Sequence, residues 1–260
     1  NSYHGSTQGA LSILGSEYWR NAYRPLRPGI QHLAYNSFDD LQWITTDTAC
    51  VIAETVQAEA GVKAPQKEWL QALQKRCKET GALFILDEIQ TGFGRTGKLW
   101  GFEHFDVVPD VLLLGKALGG GMPLGAFVAD VRLMNLLADN PVLGHITTFG
   151  GHPLCCAAGA AAFKALLEEG MIESASEKAK HFKSLLVHSQ IKKVHAFGLW
   201  MAVEFDSFDT CKKVIDACIE GGVISDWFLF ASNCLRISPP LTISKEQIEQ
   251  AVSVILRSIK

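Results

Sequence analysis

Leu83-Phe84-Ile85-Leu86-Asp87-Glu88 and Val111-Leu112-Leu113-Leu114-Gly115-Lys116 decide the fold. Each is a run of four apolar residues closed by charge. Short, fully apolar runs read as strands buried on both faces, the signature of a parallel sheet covered by helices. Gly125 to Ala129 and Val51 to Val56 repeat the pattern. Between them Pro65 opens a helix that runs to Thr80, with Trp69, Leu70, Leu73 and Cys77 on one face and Gly81 as its stop. The alanine-rich stretch Pro153 to Glu169 predicts another helix. The first fifty residues are irregular, rich in Gly, Pro and aromatics.

Downstream, the patterning predicts a helix over Ser174 to Ser189 and a strand over Val194 to Phe205. A helix near Asp209 to Glu220 and strands near Val223 and Leu235 follow. The last helix starts at Ser244, whose hydroxyl forms a capping box with Gln247; Ile248, Val252, Ile255 and Leu256 are its stripe. The expected organisation is α/β in two lobes: residues 1–168 as a large domain and 169–260 as a smaller C-terminal α/β domain, joined near 165–175.

Composition narrows the function. The chain has 260 residues, 24 Lys plus Arg against 27 Asp plus Glu, a net charge of −3, and 48% hydrophobic residues. That is a folded globular balance, without the basic footprint of a nucleic-acid binder. No apolar run reaches the roughly 20 residues of a membrane span. Seven cysteines, an odd number with no C-x-x-C pair, argue against a disulfide framework and a zinc site and suit a reducing cytoplasm.

Asp87 and Lys116 ask for chemistry. Ligands bind outside the carboxyl ends of strands in open parallel sheets. Alone, Asp87 reads equally as a turn residue or N-cap, and Lys116 as a lysine that snorkels to the surface. Glu88 alternates to the other face and reads as structural. Together, an acid and a lysine on neighbouring strand ends fit pyridoxal phosphate, which needs a lysine for a Schiff base and an acid at its pyridine nitrogen. Gly119-Gly120-Gly121 would let backbone approach a bound group. Thr147-Thr148-Phe149-Gly150-Gly151-His152-Pro153 precedes a helix and reads as a phosphate seat or an ordinary glycine-rich turn.

The run Leu86-Asp87-Glu88-Ile89-Gln90-Thr91-Gly92-Phe93-Gly94-Arg95-Thr96-Gly97, then Gly115 to Ala126, Thr148-Phe149-Gly150-Gly151 and Leu235-Arg236-Ile237-Ser238-Pro239-Pro240-Leu241, resembles class III pyridoxal-phosphate aminotransferases. The likeness keeps the family's order and spacing over the chain. It implies the fold type I architecture of pyridoxal-phosphate enzymes and, position by position, roles. Lys116 is the Schiff-base lysine and proton shuttle. Asp87 is the partner of the pyridine nitrogen, Gln90 approaches the ring hydroxyl, and Tyr3, followed by His4, stacks on the ring. Thr148 is a phosphate ligand donated by the neighbouring subunit, which implies a homodimer with shared active sites.

Ala53-Glu54-Thr55-Val56-Gln57-Ala58-Glu59-Ala60-Gly61 resembles the segment Glu-Pro-Val-Gln-Gly-Glu-Gly-Gly of the ornithine, acetylornithine and 4-aminobutyrate branch. There the Glu59 position pairs with the Arg236 position, and the arginine binds a substrate carboxylate when the pair opens. Without the likeness, Glu59 reads as a solvated loop acid and Arg236 as a brace for the small lobe. Thr55, Ala58, Ala60 and His152 depart from the family's usual residues. The family also carries a long stretch before the Tyr3 position, so the chain is expected to be a fragment whose cofactor site is incomplete by itself.

The implied reaction moves an amino group between an ω-amino donor and 2-oxoglutarate, both small molecules. A mutase or decarboxylase on the same scaffold, or a catalytically incomplete fragment, are the alternatives. Gln90 and Gly94-Arg95-Thr96-Gly97 favour the aminotransferase.

Overall fold

A computed structural model describes residues 1–259. Two short helices, α1 (Gln8–Ser12) and α2 (Glu17–Arg20), precede β1 (Cys50–Glu54), α3 (Lys67–Thr80), β2 (Leu83–Asp87), β3 (Val111–Leu114) and β4 (Ala126–Ala129). They are followed by α4 (Val131–Asn135), α5 (Pro153–Glu168), α6 (Met171–Leu185), β5 (Lys193–Ala196) and β6 (Met201–Glu204). The chain closes with α7 (Phe208–Glu220), β7 (Trp227–Phe228), β8 (Ala231–Ile237) and α8 (Lys245–Ser258).

The strands form two four-stranded sheets, ordered β1-β2-β3-β4 and β5-β6-β8-β7. In the first, β1, β2 and β3 are parallel, with Glu54 opposite Asp87 and Asp87 opposite Leu113. All three therefore end at one edge. β4 departs from the parallel expectation: it returns antiparallel beside β3, and its Phe127 and Val128 are exposed. α3 buries Trp69, Leu70, Leu73 and Cys77 against Phe84 and Leu86 of β2. Gly81 ends it in the left-handed region at φ 79°, where a Cβ would be strained.

The second sheet is antiparallel. The single strand expected over Val194 to Phe205 is a hairpin, β5 and β6. Gly198 at φ 62° turns the chain between them, and a Cβ there would come within 2.4 Å of Thr96 Cα. The strand expected near Val223 lies later, at Trp227–Phe228, and the helix expected from Ser174 to Ser189 spans Met171–Leu185. α6, α7 and α8 cover this sheet: Phe182, Val214, Ile215, Ile248 and Val252 pack on Met201, Val203 and Leu235. Ser244 and Gln247 form the expected capping box. A third apolar cluster joins the two sheets, with Val56, Ala58 and Val62 against Trp200, Ala202, Phe228 and Cys234.

Candidate active site

Asp87 ends β2 with a relative exposure of 6%. Its Oδ2 lies 2.8 Å from His4 Nδ1, and its Oδ1 accepts the Ile89 backbone N–H at 2.9 Å. Among the described residues no lysine or arginine nitrogen lies within 4 Å of it. Glu88, on the opposite face, is fully buried and saturated: it accepts from the Thr55 and Thr91 hydroxyls and from the Gly101 and Phe102 N–H groups. Burial pushes its pKa up despite those four donors. Its role is to tie β1, β2 and the segment after β2 together.

Lys116 follows β3 at φ 47°, in the left-handed region, and opens the short 3₁₀ turn Lys116–Gly119. A lysine held there stores backbone strain, which commonly marks a functional position. It is not the buried residue that its place after an apolar strand suggested. It is exposed in an open cleft, one residue past the buried, extended Gly115. Partial desolvation lowers its pKa, opposed by the fields of Asp87, Glu59 and Glu54. Of the glycines after it, Gly120 has a packing reason. A Cβ on Gly120 would sit 2.6 Å from the Ala158 carbonyl oxygen of α5, so this glycine lets the turn lie against the helix.

Tyr3, His4, Asp87, Gln90 and Lys116 line one cavity of about 200 Å³. Tyr3, Gln90 and Lys116 also line an adjoining one of about 510 Å³, whose far wall holds Glu59 and Arg236. These two form a buried ion pair: both guanidinium Nη atoms donate to Glu59 Oε1 at 3.1 Å, and Nη2 donates to Oε2 at 2.9 Å. The solvated-acid reading of Glu59 is therefore incorrect. Its exposure is 5%, and the Leu229 N–H also donates to Oε2. The Arg236 Cζ rests 4.3 Å from the Phe228 ring centroid. Thr148 stands apart, exposed and lining neither cavity.

Sequence reasoning passed over Glu54, although it closes β1 as Asp87 closes β2, which was the available signal. Its Oε1 accepts the Tyr3 N–H at 3.0 Å and its Oε2 the Ala58 N–H at 2.8 Å. Burial raises its pKa to about 7, against the pull of those two donors and of His4. Glu54 thus anchors the backbone of Tyr3 at the cavity wall.

The cleft brings together the amine of Lys116, the buried carboxylates of Asp87 and Glu54, and the aromatic ring of Tyr3. That suits a flat, anionic ring carrying an aldehyde at one end and a basic nitrogen at the other. Fold and cleft together define an α/β protein whose reactive groups gather at the carboxyl edge of its parallel strands. The chain belongs to the aminotransferase class-III family, whose model matches residues 1–259. It is 38% identical to the acetylornithine aminotransferase of Caldanaerobacter subterraneus subsp. tengcongensis, over 98% of this chain and 65% of that relative. Two crystal structures of the ornithine aminotransferase of Toxoplasma gondii superpose with TM-scores of 0.92 and 0.91 at 32% identity. They cover 100% and 99% of this chain, which spans 63% and 62% of theirs. The second is described as having partial occupancy of PLP at its active site. The chain thus spans somewhat less than two thirds of the length of these relatives.

Proposed function

We propose that the protein carrying this chain is a pyridoxal 5′-phosphate-dependent aminotransferase. It moves an amino group from ornithine, acetylornithine or a related ω-amino donor to 2-oxoglutarate. The observation that carries this reading is the shared cleft: Lys116, Asp87, Gln90 and Tyr3 line space that continues into the Glu59–Arg236 pair. In this reading residues 1–168 hold the cofactor, and residues 169–260 supply the substrate-side arginine.

The cofactor supplies an electron sink for charge that develops on the substrate carbon. Lys116 is the amine that would hold the cofactor at its aldehyde carbon, with loss of water, and its Nζ, when free, would carry a proton to and from the substrate carbon. The Asp87 carboxylate keeps the pyridine nitrogen protonated, and His4 and the Ile89 N–H hold that carboxylate in place. The Tyr3 ring would hold the flat face of the cofactor, and Gln90 would hold its ring oxygen. Arg236 stays paired with Glu59 while a terminal amine reacts and turns to the carboxylate of the incoming 2-oxo acid.

Thr148 serves the phosphate of a second subunit in a homodimer. Its exposed segment, with Leu143, Ile146 and Phe149 also exposed, supports that placement. Five of the seven cysteines are buried as free thiols, which supports a reducing, cytoplasmic setting. No described helix is long and apolar enough to cross a membrane. The test is a donor panel with 2-oxoglutarate on the full-length protein, following glutamate formation. Glutamate formed from a terminal-amine donor, and lost in Lys116→Ala, is the expected result. Release of carbon dioxide, or isomerisation without an acceptor, would favour the decarboxylase or mutase instead.

A further inference from the structure

Arg236 has two acidic neighbours, and only one of them belongs to the pair described above. Its Nε lies 2.8 Å from Asp226 Oδ1. That approach is an ion pair by distance but is off the N–H axis, so Nε makes no hydrogen bond. It is the one buried side-chain nitrogen or oxygen without a hydrogen-bond partner among the described residues. The two acids differ in freedom. Glu59 is fixed: its side chain takes the Leu229 N–H, and its backbone carbonyl takes the Phe230 N–H at 2.9 Å. Asp226 has a side-chain exposure of 62%, and Arg236 is its only ion-pair partner among the described residues. Both line the 510 Å³ cavity with Lys116, so this cavity holds two carboxylates around one guanidinium.

We propose that Asp226 is a specificity-determining residue that shares Arg236 with Glu59, so that the pocket favours terminal amines over substrates whose carboxylate adjoins the reacting carbon. The inference rests on the aminotransferase reading above. A 2-oxo acid must draw the guanidinium away from Glu59. Glu59 cannot follow, because its backbone and side chain are both tied. Asp226 can, and it remains a competing anion on the Nε side of the fork, where an incoming carboxylate would otherwise find the free N–H. A terminal amine makes no such demand and leaves the pair closed. The backbone supports the arrangement: Arg236 N–H donates to the Asp226 carbonyl at 2.9 Å, which keeps the two residues side by side as β8 pairs with β7.

The test compares two half-reactions of the full-length holoenzyme by single-turnover kinetics. One uses 2-oxoglutarate; the other uses the fastest of ornithine, acetylornithine and 4-aminobutyrate. The readout is the ratio of kcat/KM for the oxo acid to kcat/KM for the amine. Asp226→Asn keeps the shape and removes the charge. The ratio is expected to rise about two- to fivefold, the range for a partly exposed ion pair, chiefly through a lower KM for 2-oxoglutarate. Asp226→Glu should restore a ratio near that of the parent. A merely structural Asp226 would move both half-reactions together. An unchanged or lowered ratio in Asp226→Asn, with the parent transferring normally, overturns the proposal alone. Failure of the parent to aminate any 2-oxo acid overturns the functional reading and this one with it.

Discussion

Lys116 and Asp87 stand at adjacent strand ends, yet their surroundings differ: one is exposed in the cleft, the other is 6% exposed. On the proposed mechanism, Lys116→Ala removes nucleophile and proton carrier together. Covalent cofactor attachment, read from the absorbance lost on borohydride treatment of the parent, should disappear. Transamination should fall by about 10²–10⁴, the worth of a positioned acid–base group. Asp87→Asn should keep the fold, since an amide oxygen can still accept the Ile89 N–H, but cost well over tenfold in rate. A near-normal rate would place Asp87 away from the ring. Glu54 adds a pH effect. Its pKa is raised to about 7 in the fold from an ordinary 4.5, so between those values the folded state holds more protons than the unfolded one. Stability must then fall as pH rises from about 4.5 to about 7 and be lowest, for this group, above 7. Over that window a buried carboxyl contributes a loss of order 3 kcal/mol. Urea melts at pH 5 and pH 8 should show that decline, and Glu54→Gln should flatten it.

The turn from Lys116 to Gly119 is held from behind by α5, and here single glycines decide geometry. Gly120 sits at φ 56° with Ala158 O 2.6 Å from where a Cβ would be; Gly159 of α5 answers with Leu118 O at 2.5 Å. Gly120→Ala adds left-handed strain and overpacking together and should destabilise by about 2–4 kcal/mol. Since Lys116 begins the same turn, the cofactor absorbance should weaken as well as Tm; a loss of Tm with an unchanged spectrum would show that Lys116 is held independently of Gly120. Elements of this kind show what a sequence reveals. α3, β2, β3 and α8 were legible because a cap, a glycine stop or an unbroken apolar run marks each of their ends. The hairpin of β5 and β6 was not, because Val194 to Phe205 is apolar enough to read as one buried strand, and the reason for Gly198 lies across the molecule at Thr96. In the site, Asp87 and Lys116 were legible as charges ending apolar runs. Glu54 closes β1 as they close their strands, but Thr55-Val56 extends the run past it and hides the strand end. Asp226 has no local signal at all: its partner is ten residues on and its meaning depends on Glu59 folding back from β1.

At the scale of the molecule the proposed site is split. Lys116 and Asp87 belong to the first sheet, Arg236 to β8 of the second, so their spacing is only as firm as the seam between the sheets. Arg95 is the polar part of that seam. Its Nη1 donates to Leu199 O at 2.9 Å and Pro239 O at 2.6 Å, while its own carbonyl accepts the Leu199 N–H at 3.0 Å. Burial lowers the guanidinium pKa to about 10, still far above neutrality, so the charge that strengthens these bonds is kept. The apolar part of the seam, Val56 and Val62 against Trp200 and Phe228, carries no direction. Packing alone would let one sheet slide on the other by small amounts, whereas two charge-assisted bonds to carbonyls on different turns fix the angle. Arg95→Ala should therefore do two things that a simple loss of packing would not. It should cost about 3 kcal/mol, the scale of hydrogen bonds to a charged group with two carbonyls left wanting. It should also broaden or split thermal unfolding, as the second sheet with α6, α7 and α8 melts apart from the first. Arg95→Lys, whose shorter side chain keeps the charge but reaches less far toward the two carbonyls, should fall between. Calorimetry on the full-length protein separates the cases. A single sharp transition merely shifted down in Arg95→Ala would mean that the apolar cluster alone couples the sheets, and that Arg95 adds stability without setting their geometry.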